Sequence, residues 1–177
     1  MAAKHVIDFK NNYQDDAQAA TAGTPIFPET VMSAAALESN WGRSELSAVH
    51  NNFFGIKAGS TWKGAIARMP TREQDKSGNV YTVYANFRKY VTAADCFRDY
   101  IKVITQPRYV QAGVTAAKTP QAQFDALKKG GYATDVSYPT KLAGVLKTLG
   151  GIITNNPGTT ATTILAVIFF LAIAFKK

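Results

Sequence analysis

The chain has 177 residues, 46% of them hydrophobic, which is enough for one domain with a sizeable core and little left over. Its 20 Lys and Arg against 12 Asp and Glu leave a formal net charge of +8, so an anionic partner is expected: nucleic acid, an anionic membrane or an acidic polymer such as cell wall. The basic residues are scattered, with no basic block and no basic-aromatic run, which argues against nucleic acid; the single Cys96 excludes an internal disulfide; and His5 and His50 stand too far apart to suggest a metal site, so no metal and no cofactor are expected.

Taken in order, the chain reaches Asp8 before any apolar run can form, so no secretory leader is expected. Val6, Phe9, Tyr13 and Ala17 then recur at spacings of three and four and predict an amphipathic helix over 6–20. Pro25 and Pro28 break it, and Pro28 suits the first turn of a second helix, over 29–38, with Val31, Ala34, Ala35 and Leu37 available to the core.

That second helix ends on an acid, Glu38, followed by Ser39-Asn40-Trp41-Gly42, a turn no regular helix would adopt. An acid at a helix end beside aromatic surface loses hydration of its charged form, so its pKa rises toward the range a general acid needs near neutral pH. A cap, or a partner for Arg43, is the other reading of Glu38. Ser44 caps a short helix over 45–50. In Asn51-Asn52-Phe53-Phe54-Gly55 hydrogen-bonding and stacking groups sit side by side, the mix that binds a sugar through its hydroxyls and its C–H faces. Trp62 follows in Thr61-Trp62-Lys63-Gly64.

From Ala65 to Tyr90 the pattern changes to β, two runs flanking the turn 75–79, which predicts a hairpin projecting from a helical body. Glu73 falls near its tip. Thr92 and Asp95 frame the start of a helix whose stripe of Cys96, Phe97, Tyr100, Ile101 and Ile104 faces the core. Thr119-Pro120 opens another helix that stops at Gly130-Gly131, and Gly131-Tyr132-Ala133-Thr134-Asp135 makes a turn that sets a tyrosine hydroxyl near a carboxylate. A last helix is predicted over 139–149, and 150–160 reads as a flexible linker. From Gly158 to Phe175 no charge occurs, about 27 Å of helix at ~1.5 Å per residue, which meets the length of a bilayer core; Lys176 and Lys177 close it.

Several segments stand in one order: Ala-Ala-Leu-Glu-Ser-Asn-Trp-Gly-Arg-Ser (35–44), Asn-Asn-Phe-Phe-Gly-Ile-Lys (51–57), Thr-Trp-Lys-Gly (61–64), Phe-Arg-Lys-Tyr (87–90), Asp-Tyr-Ile (99–101), Pro-Arg-Tyr (107–109) and Gly-Tyr-Ala-Thr-Asp (131–135). Together they resemble the flagellar-rod-type β-N-acetylglucosaminidases, peptidoglycan hydrolases of glycoside hydrolase family 73. The resemblance implies an α+β, mainly α fold, with a lysozyme-like α-lobe and a small β-hairpin lobe over residues 1–149. It also implies a groove for the peptidoglycan glycan strand, cut at the β-1,4 bond after N-acetylglucosamine. Glu38 matches the family's general acid, Glu73 its second acid, and Tyr132 a cleft tyrosine that assists. The substrate-binding set expected with them is Trp41, Asn51, Asn52, Phe53, Trp62, Tyr109 and Asp135. The substrate's own 2-acetamido group could stand in for Glu73. Val136 takes the place of a proline common in relatives, and those relatives carry leaders or wall-binding modules rather than an apolar tail. One transmembrane helix, over 161–177, is therefore expected to anchor the enzyme in a lipid bilayer, either the internal membrane of a bacterial virus or a bacterial cell membrane. A muramidase or lytic transglycosylase on the same fold, or a non-catalytic wall-binding membrane protein, is the alternative.

Overall fold

The computed structural model describes residues 3–74 and 78–154. Helix α1 (Lys4–Thr21) buries Val6, Phe9 and Ala17, the stripe its spacing predicts, and Thr21 ends it by turning its Oγ1 back onto the Ala17 carbonyl at 2.8 Å. Helix α2 (Pro28–Glu38) starts with proline at a position whose N–H has no helical partner to lose. Every residue from Thr30 to Ala36 is buried, more than one apolar face would supply. The reason is that α2 packs against α1, α6 and α7 at once, and its run Ser33-Ala34-Ala35-Ala36 lets all three approach closely. Leu37, expected in the core, is only half-buried, and the helix emerges at Glu38.

The turn after α2 is locked by Ser39. Its hydroxyl donates to the Ala35 carbonyl at 2.5 Å and accepts the Gly42 N–H at 2.7 Å, while Trp41 N–H reaches the Ala36 carbonyl at 2.8 Å. Asn40, Trp41 and Gly42 all take positive φ, at 51°, 60° and 73°. Such angles are unfavourable for a tryptophan, and the Trp41 ring compensates by packing edge-on against Phe9 at 5.7 Å. Ser44 then caps α3 (Glu45–His50), accepting the Ser47 N–H.

Strands β1 (Ile66–Gln74) and β2 (Val80–Arg88) form one antiparallel hairpin, the small lobe. Ala67 and Phe87 pair at its base and are buried, and an isolated bridge from Lys57 to Phe87 fastens that base to the body. The Arg88 guanidinium reaches Asp99 at 2.5 Å, Tyr90 Oη donates to the same carboxylate at 2.7 Å, and Arg88 lies over the Trp62 ring at 4.8 Å. This half-buried network ties the end of β2 to α4 (Ala93–Ile104), which begins in the capping box formed by Thr92 and Asp95.

A short helix, α5 (Pro107–Ala112), follows that the sequence pattern did not announce. Helix α6 (Pro120–Lys129) is capped by Thr119 and carries the buried Gln123, whose amide bonds to the Pro25 and Val114 carbonyls and accepts from Phe27 N–H, so no polar atom of it is stranded. Helix α7 (Tyr138–Thr154) outruns its expected end at Leu149. Gly150 and Gly151, read as the start of a linker, are helical, because burial of Leu149 beside Met32 outweighs the roughly 1 kcal/mol penalty of each glycine. The core is aromatic: Phe53, Phe54 and Phe97 interlock at 5.5 Å, and Phe54 stacks flat on Tyr100 at 3.8 Å. Cys96 is buried in this core, where burial pushes its thiol up to about 12. Among the described residues no helix is long and apolar enough to cross a membrane, and residues 158–177, the expected span, lie outside them.

Candidate functional site

A cleft of about 820 Å³ opens at the C-terminal end of α2, lined among others by Leu37, Glu38, Tyr109, Tyr132, Asp135 and Tyr138. Glu38 is the last helical residue before the locked turn, so the Ser39 hydroxyl bonds fix where its side chain begins. Among the described residues it makes no ion pair, and Arg43 turns instead to the carbonyl and side chain of Asn40. Crowding by the cleft walls raises its pKa even though the residue keeps solvent access along the open side, and the Tyr138 hydroxyl opposes that rise. Hydroxyl and carboxyl are close enough to influence each other, yet outside hydrogen-bonding geometry: Tyr138 Oη is buried with no closed partner.

Four tyrosines from four segments pack around this carboxyl. Tyr132 sits at the centre, 5.7 Å from Tyr100, 6.1 Å from Tyr109 and 5.8 Å from Tyr138, ring centre to ring centre. Burial pushes the phenols of Tyr100, Tyr132 and Tyr138 well above the ordinary range, so all stay protonated. Tyr109 is buried, and its hydroxyl accepts from Arg108. Gly130 makes room for it: a Cβ there would stand 2.5 Å from the Tyr109 ring.

The turn bearing Tyr132 is built for rigidity. Gly131 takes φ 77°, Tyr132 N–H returns to the Leu127 carbonyl at 3.0 Å, and Lys128 Nζ donates to the Ala133 and Thr134 carbonyls at 3.0 and 2.7 Å. Asp135 accepts the Ser137 N–H at 2.8 Å and pairs with Lys141 at 2.5 Å, and these two hold its carboxyl below its usual range.

Thus Glu38, Tyr132, Tyr109 and Asp135 are brought to one cleft, and other expected members are not. Asn52 and Phe53 are buried, each 1% exposed, inside the body of the domain. Asn52 spends its amide on the backbone of Ile56 and Arg88, and Phe53 packs on Tyr13 at 4.7 Å. Trp41 faces Phe9 and His5 rather than the cleft, so the apolar setting of Glu38 comes from the tyrosines. Asn51 donates to the Tyr90 and Val91 carbonyls, and with Trp62 it borders a separate depression of about 730 Å³ along α4. Trp62 donates its Nε1 to the Ala65 carbonyl. Glu73 pairs with Tyr81 in the hairpin register, and its side chain lies outside the described residues. Two residues of the site were missed in the sequence. Tyr100 was absorbed into a core stripe, and Tyr138 opens α7 one residue before its predicted start. The signal for both is a hydroxyl on a buried helix face, which demands a partner. Among the described residues no group of three His, Cys, Asp or Glu converges as metal ligands.

The family model Glucosaminidase, described as mannosyl-glycoprotein endo-beta-N-acetylglucosaminidase, matches residues 14–151. The chain belongs to the glucosaminidase family. It is 36% identical over 124 residues to the peptidoglycan hydrolase FlgJ of Salmonella typhimurium, covering 67% of this chain and 38% of that protein. It is 33% identical to the exo-glucosaminidase LytG of Bacillus subtilis, covering 69% of this chain and 44% of the relative. The chain thus spans less than half the length of these curated relatives. Among solved structures, the catalytic domain of the autolysin Auto from Listeria monocytogenes superposes with a TM-score of 0.74 at 30% identity, covering 85% of this chain and 87% of that one. The glycoside hydrolase domain of Salmonella typhimurium FlgJ, C-terminally truncated, gives 0.68 at 33% identity, covering 82% and 98%. The fold is the mainly helical, lysozyme-like α+β fold with a two-stranded sheet.

Proposed function

We propose that the protein is a peptidoglycan hydrolase that cleaves the β-1,4 bond between N-acetylglucosamine and N-acetylmuramic acid, with Glu38 as general acid. The observation that carries this reading is the Glu38 carboxyl, raised in pKa by the walls of a tyrosine-lined cleft in a chain of the glucosaminidase family. A protonated carboxyl there can give its proton to the glycosidic oxygen as the C1–O bond breaks and its electron pair leaves with the oxygen. Negative charge or a nucleophile is then needed at the sugar ring. Glu73 on the hairpin, or the substrate's own 2-acetamido oxygen, supplies it in this reading. Tyr132 furnishes the cleft floor against which the sugar rests, with the buried Tyr109 packed behind it.

The reading includes a tether. Residues 158–177, uncharged up to Lys176, anchor the hydrolase in a bilayer, that of a lipid-containing bacterial virus or of the bacterial cell, where the net charge of +8 favours anionic wall and lipid headgroups. Digestion of purified cell wall tests the activity. Wild type should release reducing-end N-acetylglucosamine, and Glu38→Gln should be slower by about 10²- to 10⁴-fold. A Glu38→Gln protein that clears wall at the wild-type rate overturns the reading.

A further inference from the structure

We propose that Tyr138 is a positioning residue for this reaction: its hydroxyl donates to the carboxylate that Glu38 becomes on giving up its proton, holding one oxygen so that the other faces the glycosidic bond. The inference rests on the general-acid reading of Glu38 and adds the partner that orients it.

Tyr138 is 4% exposed, and its hydroxyl is buried with no hydrogen bond among the described residues. Buried hydroxyls in folded proteins are nearly always paired, so an open one beside a reacting group points to a bond made during the reaction. Of the two acids that share its cleft, Asp135 is paired with Lys141, and the other is Glu38, at the facing end of α2. Tyr100 also buries an unpaired hydroxyl, but it lies flat on Phe54, beneath Tyr132. The ring of Tyr138 is held by Tyr132, and its backbone N–H bonds the Asp135 carbonyl at 3.2 Å, inside the turn that Lys141 clamps through the Asp135 carboxylate. A donor held this way is preorganised and need not be rearranged during turnover.

The other titratable groups facing Glu38 are Tyr100 on α4, Tyr109 on α5 and Tyr132 in the 131–135 turn, all neutral phenols. Lys57 and Arg108 stand on the cleft rim, and Asp135 and Lys141 neutralise each other. Tyr138 is the group that opposes the rise in the Glu38 pKa. Removing a donor from a carboxylate raises the acid's pKa, and a general acid works only while protonated. The alkaline limb of activity must therefore move to higher pH when the hydroxyl is lost.

The test compares wild type, Tyr138→Phe and Glu38→Gln on purified peptidoglycan across pH. For Tyr138→Phe, kcat should fall about tenfold with KM little changed, and the alkaline limb of kcat/KM should shift upward in pH. An unchanged limb in a folded Tyr138→Phe protein overturns the inference, whatever the rate. If Tyr138→Phe does not fold, 3-fluorotyrosine at position 138 decides: the more acidic phenol is a stronger donor and should shift the limb downward, and an unmoved limb again overturns the inference. Full activity in Glu38→Gln would instead sink the general-acid reading, so the two failures are distinguishable.

Discussion

Asn52 grips Ile56 from both sides of its peptide: Nδ2 donates to the Ile56 carbonyl at 3.0 Å, and Oδ1 accepts the Ile56 N–H at 3.0 Å. The same amide reaches the Arg88 carbonyl at 2.8 Å, so one buried side chain stitches the 51–57 loop to the end of the hairpin. Asn52→Ala strands Ile56 N–H and removes a donor from the Ile56 and Arg88 carbonyls, the first of which keeps the Arg88 N–H at 2.9 Å, and should destabilise the domain by about 2 kcal/mol. Urea unfolding measures that loss. The hydrolysis rate per folded molecule should be nearly unchanged; a large rise in KM would mean that Asn52 does meet substrate.

Glu38 makes stability depend on pH in a fixed direction. Its folded pKa is raised, so its contribution is fully present below the pKa of an unfolded glutamate and is lost as pH rises through the folded value. Glu38→Gln carries no such titration. The glutamine variant should therefore gain in melting temperature over wild type at pH 7 relative to pH 4. Equal differences at the two pH values would mean that the carboxyl is unperturbed.

Helix beginnings and the Glu38 turn were legible because their chemistry is local. Pro28, Ser44, Thr92 and Thr119 each start a helix within a residue or two of themselves, and Ser39 to Gly42 could not continue one. What depends on distant packing was not legible. Whether Asn52 and Phe53 face a sugar or the core is decided by Tyr13, Phe97 and Arg88, far along the chain. The length of α7 turned on Leu149 finding Met32, and Tyr138 gained its place at the cleft only through the packing of α7 on α2.

The hairpin lobe depends on an ion pair that is mostly shielded, with Arg88 and Asp99 side chains only 18% and 13% exposed. Asp99→Ala leaves the guanidinium half-buried without its partner and frees the Tyr90 hydroxyl. A loss of about 3 kcal/mol is expected. Hydrogen exchange should rise first in β2 and the base of the hairpin; uniform exchange across the domain would contradict a local tie.

Gly130 is fixed by a ring rather than by its backbone angle. Its φ of −74° suits any residue, yet an added Cβ would fall 2.5 Å from the Tyr109 ring. Gly130→Ala should displace that ring, lower stability by about 1–3 kcal/mol and reduce wall hydrolysis, because Tyr109 supports Tyr132. Thermal unfolding and a turbidity assay on the same preparation check both effects.

Removal of residues 158–177 should leave wall hydrolysis in solution intact and abolish flotation with anionic vesicles. Retained flotation would assign membrane affinity to the basic domain itself.

Helix α2 ends on Glu38 with no basic residue in its last turn. The Ala35, Ala36 and Leu37 carbonyls accept N–H groups of the turn that follows, and the helix C-terminus sets its partial negative charge beside Glu38 with no cation in that turn to offset it. Before the reaction this field favours the proton on Glu38. In the general-acid reading it also disfavours the carboxylate left behind afterwards, so the helix that carries the acid favours its return to the protonated form for the next bond.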